Sequence, residues 1–435
     1  MFCVNAAAIG QVTVVGKIVY DLTGSKLDLG LLGLAQFAPA LVLVLLTGSV
    51  ADRIDRRHVV AIGACLCATF TLAIGWYVGT RPTSWAPVLA LVLGFGAGQA
   101  FIAPAVRSLP ADMVGPDDLP RLTARVAVGG QAGIVTGPVV GGFLYVAGIR
   151  LPFFAFGALL VVGGAAALLI RPRAGAQADT PVALAAVVAE AARDAGIEAG
   201  TGAGPTTPGS GLHTAMEGLR FVRSDPVVLG AISLDLFAVL FGGAVALLPA
   251  IAKDRLGVGA VGLGWLQAAN GIGAGAMTVV LAARPVGRRI GHTLLTVVAV
   301  FGVLTIVLGA TRSYAVAFAA ILLLSAADSV SVFIRSTLVP LATPDEMRGR
   351  VLAVENVFIG ASNELGGFES GVAGQLVGTA PAVVLGGCVT VVVAAAWWVV
   401  FPALRRVDRF PTPGDLSSAG DLPTPGDLPS AGCQP

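Results

Sequence analysis

Asp235, Asp328, Glu364, Glu369 and Lys17 all stand inside long apolar runs of the chain. An ionisable group in hydrocarbon is costly, so such residues are functional candidates by default. Away from water the charged form of a carboxyl is disfavoured, and proton uptake relieves that cost. A buried carboxylate that meets water on alternate sides can therefore carry a proton. Asp235, in mid-run, is the first candidate for that role, and Glu364 the next. Asp328 lies seven residues before Arg335, roughly on one helix face with it, which also fits a structural ion pair. Glu364 and Glu369 are five apart, about 140° around a helix, so both cannot point squarely into one cavity. Glu369 and Lys17 lie further out and fit helix-end pairs as well as transport chemistry. The polar groups Gln99, Gln131, Gln267 and Asn270 fit packing hydrogen bonds better than substrate contacts.

The composition dictates what must hold these groups. Of 435 residues 56% are hydrophobic and only 12% charged, and mean hydropathy is +0.86. A soluble domain is about a quarter charged, and a chain this long would need a large polar surface. Most of this chain must therefore face lipid. The 58 glycines fit close helix packing, where no hydrophobic drive operates. A net charge of +2 offers nothing to nucleic acid. Cys3, Cys65, Cys67, Cys388 and Cys433 form no CxxC pair and read as buried thiols, without a disulfide framework, metal site or cofactor. Met1 leads into an apolar run without a basic stretch, so no cleaved leader is expected, and the true start could lie upstream.

A helical span needs about 20 apolar residues. Twelve runs qualify: 2–20, 28–51, 58–80, 85–107, 122–147, 151–171, 226–252, 259–283, 290–311, 314–338, 351–377 and 380–403. The first is the weakest, being short and carrying Gln11 and Lys17. Loops after even-numbered spans, with the middle segment and the tail, hold 20 of the 27 lysines and arginines, against six on the other side and Lys17 in span 1. Positive charge marks the cytoplasmic side, so both termini are expected there. The expectation is an all-α membrane protein of about twelve transmembrane helices. It divides into a six-helix half at 1–171, a cytoplasmic linker at 172–225, a second half at 226–403 and a disordered tail at 404–435 that repeats PTPGDL. The linker could carry a surface helix near 182–195, and MEGLRFVR, from Met216, reads as an amphipathic lead-in to span 7. Arg107-Ser108 followed by Pro116-Asp117 recurs as Arg335-Ser336 and Pro344-Asp345 at a constant offset of 228, the mark of a duplicated six-helix unit.

Two motifs are more specific. The loop after span 2 reads GSVADRIDRR, from Gly48 to Arg57. Its acid and arginines can form interhelical pairs and cap a neighbouring helix in one conformation only. Span 5 carries GIVTGPVVGG, in which Gly133, Gly137 and Gly141 share one face beside Pro138 and Gly142. With these motifs the chain resembles the major facilitator superfamily. GSVADRIDRR is similar to that family's cytoplasmic signature, and GIVTGPVVGG to the span 5 motif of its exporters. VYDLTGS, PDEMRGRV and GASNELGGFESG resemble its bacterial branch of drug and siderophore exporters, which includes the enterobactin exporter. The resemblance covers nearly all of 1–403. It implies the major facilitator fold, with spans 1, 4, 7 and 10 lining a cavity. It implies a latch of Gly48, Asp52, Arg53, Arg56 and Arg57, with Asp52 pairing to the start of span 11. It also places the span 5 glycines between the halves. Two departures stand out. Span 4 (LALVLGFGAGQ) lacks the arginine tied to proton coupling, and Asp55 replaces the usual loop glycine, weakening that turn.

No G-x-x-x-x-G-K-[ST] is present; GQVTVVGKI has the wrong spacing. His58, His213 and His292 are scattered near loops, which does not suit a membrane enzyme. The expected function is proton-coupled efflux of amphiphilic small molecules across the inner or plasma membrane by a monomer, its partners the substrate, protons and the bilayer. A dedicated siderophore or metabolite exporter is the alternative, and a non-transporting scaffold or sensor the alternative of another class.

Overall fold

The computed structural model describes residues 1–53, 55–80, 82–115, 117–170 and 210–410, without the side chains of 44–53, 107–108, 111–112, 120 and 210–215. The proposed surface helix at 182–195, most of the linker and the PTPGDL repeats lie outside the described residues. So do the side chains of Asp52, Arg53 and Arg107.

Every regular element among the described residues is helical. The first six are α1 (Phe2–Thr23), α2 (Lys26–Arg53), α3 (Arg56–Val78), α4 (Ala86–Met113), α5 (Leu119–Ala147) and α6 (Leu151–Leu168). After the undescribed stretch come α7 (Ser210–Ser224), α8 (Pro226–Phe241), α9 (Ala260–Ala283), α10 (Ile290–Ala310), α11 (Tyr314–Leu341), α12 (Asp345–Val377), α13 (Thr379–Val400) and a short α14 (Pro402–Arg406). Eleven stretches among the described residues are long and apolar enough to cross a membrane. The expected span at 351–377 forms too, as the 33-residue α12. Its Glu355, Asn356, Asn363, Glu364, Glu369 and Gln375 keep it out of that eleven.

Span 7 is broken. α8 stops at Phe241, and Gly242 and Gly243 lead into a 3₁₀ turn (Ala244–Leu247), one helical turn (Leu248–Ala250) and a π turn (Ile251–Arg255). Gly243 is obligatory there, because a Cβ would lie 2.5 Å from the Gly366 carbonyl. Asp225 starts α8 by accepting from the Val227 and Val228 amides at 2.8 and 2.9 Å. Gly24 ends α1 in the left-handed conformation at φ 62°. The face where α1 begins is called here the near face, and the one where it ends the far face.

One apolar core joins α1, α3, α4 and α6 around Phe95, Phe153, Phe156 and Leu160. A second joins α8, α10, α11 and α13 around Leu234, Ile290, Leu294 and Ile334. Packing repeats between the two sets: α3 lies on α4 and α6 as α10 lies on α11 and α13. Trp76 is 67% exposed and Val399 75%, a surface suited to lipid. Cys67 is buried as expected, but Cys65 and Cys388 are exposed, because their helix faces turn outward.

Two antiparallel seams join the sets, both built on glycine. In the first, Gly142 of α5 lies against Ala260 of α9, Gly264 against Pro138, Gly271 against Ile134 and Val135, and Gly275 against Gln131. In the second, Gly30 of α2 lies against Phe368 of α12, Gly33 against Glu364 and Gly360 against Phe37. The row Gly133, Gly137, Gly141 does not face this seam. Gly133 and Gly137 sit on the Phe2–Ala6 backbone of α1, and Gly141 on Val14 and Phe156. The expectation that the span 5 glycines pack between the halves is therefore corrected for Gly133, Gly137 and Gly141 and holds for Gly142. The glycine row welds α5 to α1, and Pro138 and Gly142, on the adjacent face, meet α9. A Cβ on Gly137 would lie 2.2 Å from the Ala6 carbonyl. Gly137→Ala should thus cost about 1–3 kcal/mol, read as a lower thermal midpoint in detergent. Gly129→Ala, with open space around it, should leave the midpoint unchanged or slightly raised.

Candidate functional site

The later helices bury a charged cluster. Arg335 of α11 donates from Nη2 to Asp235 Oδ1 of α8 at 2.7 Å, and its Nη1 lies 3.9 Å from Glu355 Oε1 of α12. All three are nearly inaccessible, Arg335 at 3% and each acid at 6%. Arg335 Nε has no hydrogen-bond partner among the described residues. Asp328 lies two turns from Arg335 on α11, close enough to feel the charges of Asp235 and Arg335. The cluster thus sets two carboxylates within 4 Å of one guanidinium, with a third acid, Asp328, two turns away on α11. The sequence pointed to Asp235 and Asp328 but missed Glu355. It weighed Arg335 as a partner for Asp328 on the same helix face, whereas the groups that meet its guanidinium are Asp235 and Glu355.

Glu364 is placed elsewhere. Its Oε2 lies at the α2–α12 seam, 3.1 Å from where a Cβ of Gly33 would be. No ion pair to it occurs among the described residues. Glu369 is hydrogen-bonded by Ser370. Two of the expected polar groups make packing hydrogen bonds. Gln131 Nε2 donates to the Gly271 carbonyl across the α5–α9 seam at 2.5 Å, and Ser325 of α11 donates to Asn270 of α9. Gln267 Oε1, by contrast, is buried without a partner among the described residues.

The far face is closed by contacts between α1 and the end of span 7. Lys253 Nζ lies 2.8 Å from Asp21 Oδ1, and Lys17 Nζ 2.7 Å from Asp21 Oδ2. Tyr20 donates its hydroxyl to Asp254. Lys253 also lies over the Tyr20 ring, 5.5 Å from its centroid. Lys17 therefore belongs to a closure pair and not to the buried cluster. Sequence reading missed Tyr20, Asp21, Lys253 and Asp254, since each falls at a span end, where charge reads as loop. The one available signal was their grouping at the ends of spans 1 and 7, equivalent positions in the two repeats.

At the near face, Asp55 caps α3, accepting from the Arg57 amide at 2.9 Å. It also accepts from Arg57 Nε at 2.9 and 3.0 Å. Arg57 Nη1 reaches the Ile170 carbonyl beyond α6 at 2.8 Å. Hydrogen bonding from Arg57 holds the Asp55 carboxyl below the usual carboxylate range. The cap is therefore intact at neutral pH and lost only on acidification through that lowered value. The expected weakening of this turn is corrected: an acid that caps and pairs offsets the missing glycine.

The profile of the Major Facilitator Superfamily matches residues 1–311. The chain belongs to the Major Facilitator Superfamily. That is a family of membrane transport proteins and not of enzymes. Among solved structures, a bacterial homologue of the iron transporter ferroportin, inward-facing, covers 93% of this chain and 96% of its own with a TM-score of 0.62 at 15% identity. An inward-facing, unoccupied bacterial homologue of the human lysosomal transporter Spinster covers 93% and 95% with a TM-score of 0.59 at 16% identity. These show a shared fold. In sequence, multidrug resistance protein 2 of Bacillus subtilis is 28% identical over 152 residues, 35% of this chain and 36% of that protein. The quinolone resistance protein NorA of Staphylococcus aureus is 29% identical over 140 residues, 32% and 34% of the two chains. The chain spans about a third of the length of these curated relatives.

Within this superfamily member, the Asp235–Arg335 pair can be tested by stability. Arg335→Gln strands two buried acids and should cost about 3–5 kcal/mol. Adding Asp235→Asn should return part of that loss in the thermal midpoint. A double variant no more stable than the single would contradict the pairing.

Proposed function

We propose that the chain is a secondary active transporter of the cell membrane that exports amphiphilic small molecules in exchange for protons, with both termini cytoplasmic. The observation that carries this reading is the excess of carboxylate around Arg335. One guanidinium cannot neutralise both Asp235 and Glu355, with Asp328 a further acid two turns along α11, and an unpaired buried charge is strongly unfavourable. A proton on one of the acids removes the deficit. Proton arrival at Asp235 loosens its hold on Arg335, which then turns toward Glu355. Asp235 sits on span 7, whose far end carries Lys253 and Asp254, so this change reaches the far closure through one broken helix. Glu364, at the seam, is the second carrier candidate. The arginine balance supports the cytoplasmic placement of the near face. The partial likeness to two drug resistance proteins supports efflux and the substrate class. The division into halves at 1–171 and 226–403 is supported by apolar cores that fall in separate sets of helices. Val222 of the proposed linker and Leu404 of the proposed tail join the second core, however, so residues 404–410 are folded where a disordered tail was expected.

The test is efflux of a fluorescent lipophilic cation from cells lacking their own pumps, comparing wild type, Asp235→Asn and empty vector with and without a protonophore. Wild type alone should extrude the dye, and the protonophore should stop it. If wild type in the membrane matches the vector, broad drug export fails and a dedicated substrate, such as a siderophore, becomes the better reading.

A further inference from the structure

The near-face rim of the later helices carries six arginines: Arg284, Arg288 and Arg289 before α10, and Arg405, Arg406 and Arg409 beyond α13. The segment after α13 does not trail away. It folds back on the start of α10, where the Gly291 amide donates to the Val407 carbonyl at 2.9 Å and the Arg289 amide to Asp408 Oδ1 at 3.2 Å. Phe410 completes the docking edge-on against Phe333, 6.3 Å between centroids. The first turn of α10 is thus already occupied, and the guanidinium groups supply the local field. Asp408 is the acid among them and lies 3.8 Å from Arg409 Nε. Arg405 lies over the Trp398 ring at 5.9 Å, and His292 meets the same ring edge-on at 5.1 Å. Trp398 is 37% exposed, and its neighbours Val399 and Val400 are 75% and 63% exposed. An exposed apolar helix end topped by tryptophan and arginine is placed at headgroup depth.

We propose that this rim binds the headgroup of an anionic phospholipid of the near leaflet. The guanidinium groups of Arg289, Arg405 and Arg409 meet the phosphate, and the acyl chains lie along the Trp398–Val400 face of α13. The charge balance argues for an anion, because the arginines outnumber the acid beside them. The exposed apolar face argues for a lipid. Positive charge on this side needs no folded structure to act, whereas here both ends of the patch are tied to the first turn of α10. Occupation by lipid would hold the 402–410 segment against α10 and α11.

The test uses the full-length protein in neutral detergent, titrated with phosphatidylglycerol or phosphatidylcholine while thermal unfolding is followed. Phosphatidylglycerol should raise the wild-type midpoint and phosphatidylcholine should not. For Arg405→Gln/Arg409→Gln the lipid concentration giving half the gain should rise about 25-fold, about fivefold for each arginine removed. Arg121→Gln/Arg125→Gln, on the same face but on α5, should behave as wild type. Raising salt from about 0.05 to about 0.5 M should abolish most of the wild-type gain, a readout that needs no variant to fold. Equal gains with both lipids, an unchanged response in the Arg405/Arg409 variant, or a gain indifferent to salt would each overturn the proposal.

Discussion

Arg335 is shared by more carboxylate than it can neutralise, in an interior where Arg335, Asp235 and Glu355 are each at most 6% exposed. In such surroundings a charge without a partner costs several kcal/mol, so the positions of α8, α11 and α12 depend on how this cluster is satisfied. Asp235 draws α8 to α11 at 2.7 Å, while Glu355 stands off at 3.9 Å. The two distances show an unequal sharing that a single proton can redistribute. In the proposed mechanism that inequality makes the cluster a switch and not a permanent weld.

A switch needs moving parts that slide without losing contact. Lipid offers no hydrophobic drive between helices, so close backbone approach must supply the attraction. The α5–α9 and α2–α12 seams do this with glycines: Gly30, Gly142 and Gly264 lie against backbone of the facing helix, and Gly33, Gly271, Gly275 and Gly360 against its side chains. The tighter row at Gly133 and Gly137 fixes α5 to α1, so the two move together. The Gly242–Gly243 break lets the far end of span 7 close on Tyr20 and Asp21 while α8 keeps its pair with Arg335.

Much of the fold was legible because lipid imposes one rule, about 20 apolar residues per crossing. Even the weak first run became the 22-residue α1, its Gln11 taken by Thr71 and its Lys17 by Asp21. The site was legible in part. Asp235 and Asp328 stood out as acids amid apolar neighbours. Glu355 did not, since it lies about one turn into the run read from sequence, where an acid reads as a span-end charge, whereas the helix begins earlier, at Asp345. The contacts closing the far face join residues more than 230 positions apart, such as Tyr20 and Asp254, and periodicity carries no such information. The direction of the glycine row was misjudged for a related reason. Spacing shows that three glycines share a face but not which neighbour fills it.

The most direct measurement is infrared difference spectroscopy of the purified protein across a pH titration, following the carbonyl stretch of protonated carboxyl groups. The account predicts a band that disappears as pH rises and that is reduced or shifted in Asp235→Asn, Asp328→Asn or Glu355→Gln. No titrating carboxyl band, or one unchanged in all three variants, would contradict a proton held among the acids around Arg335.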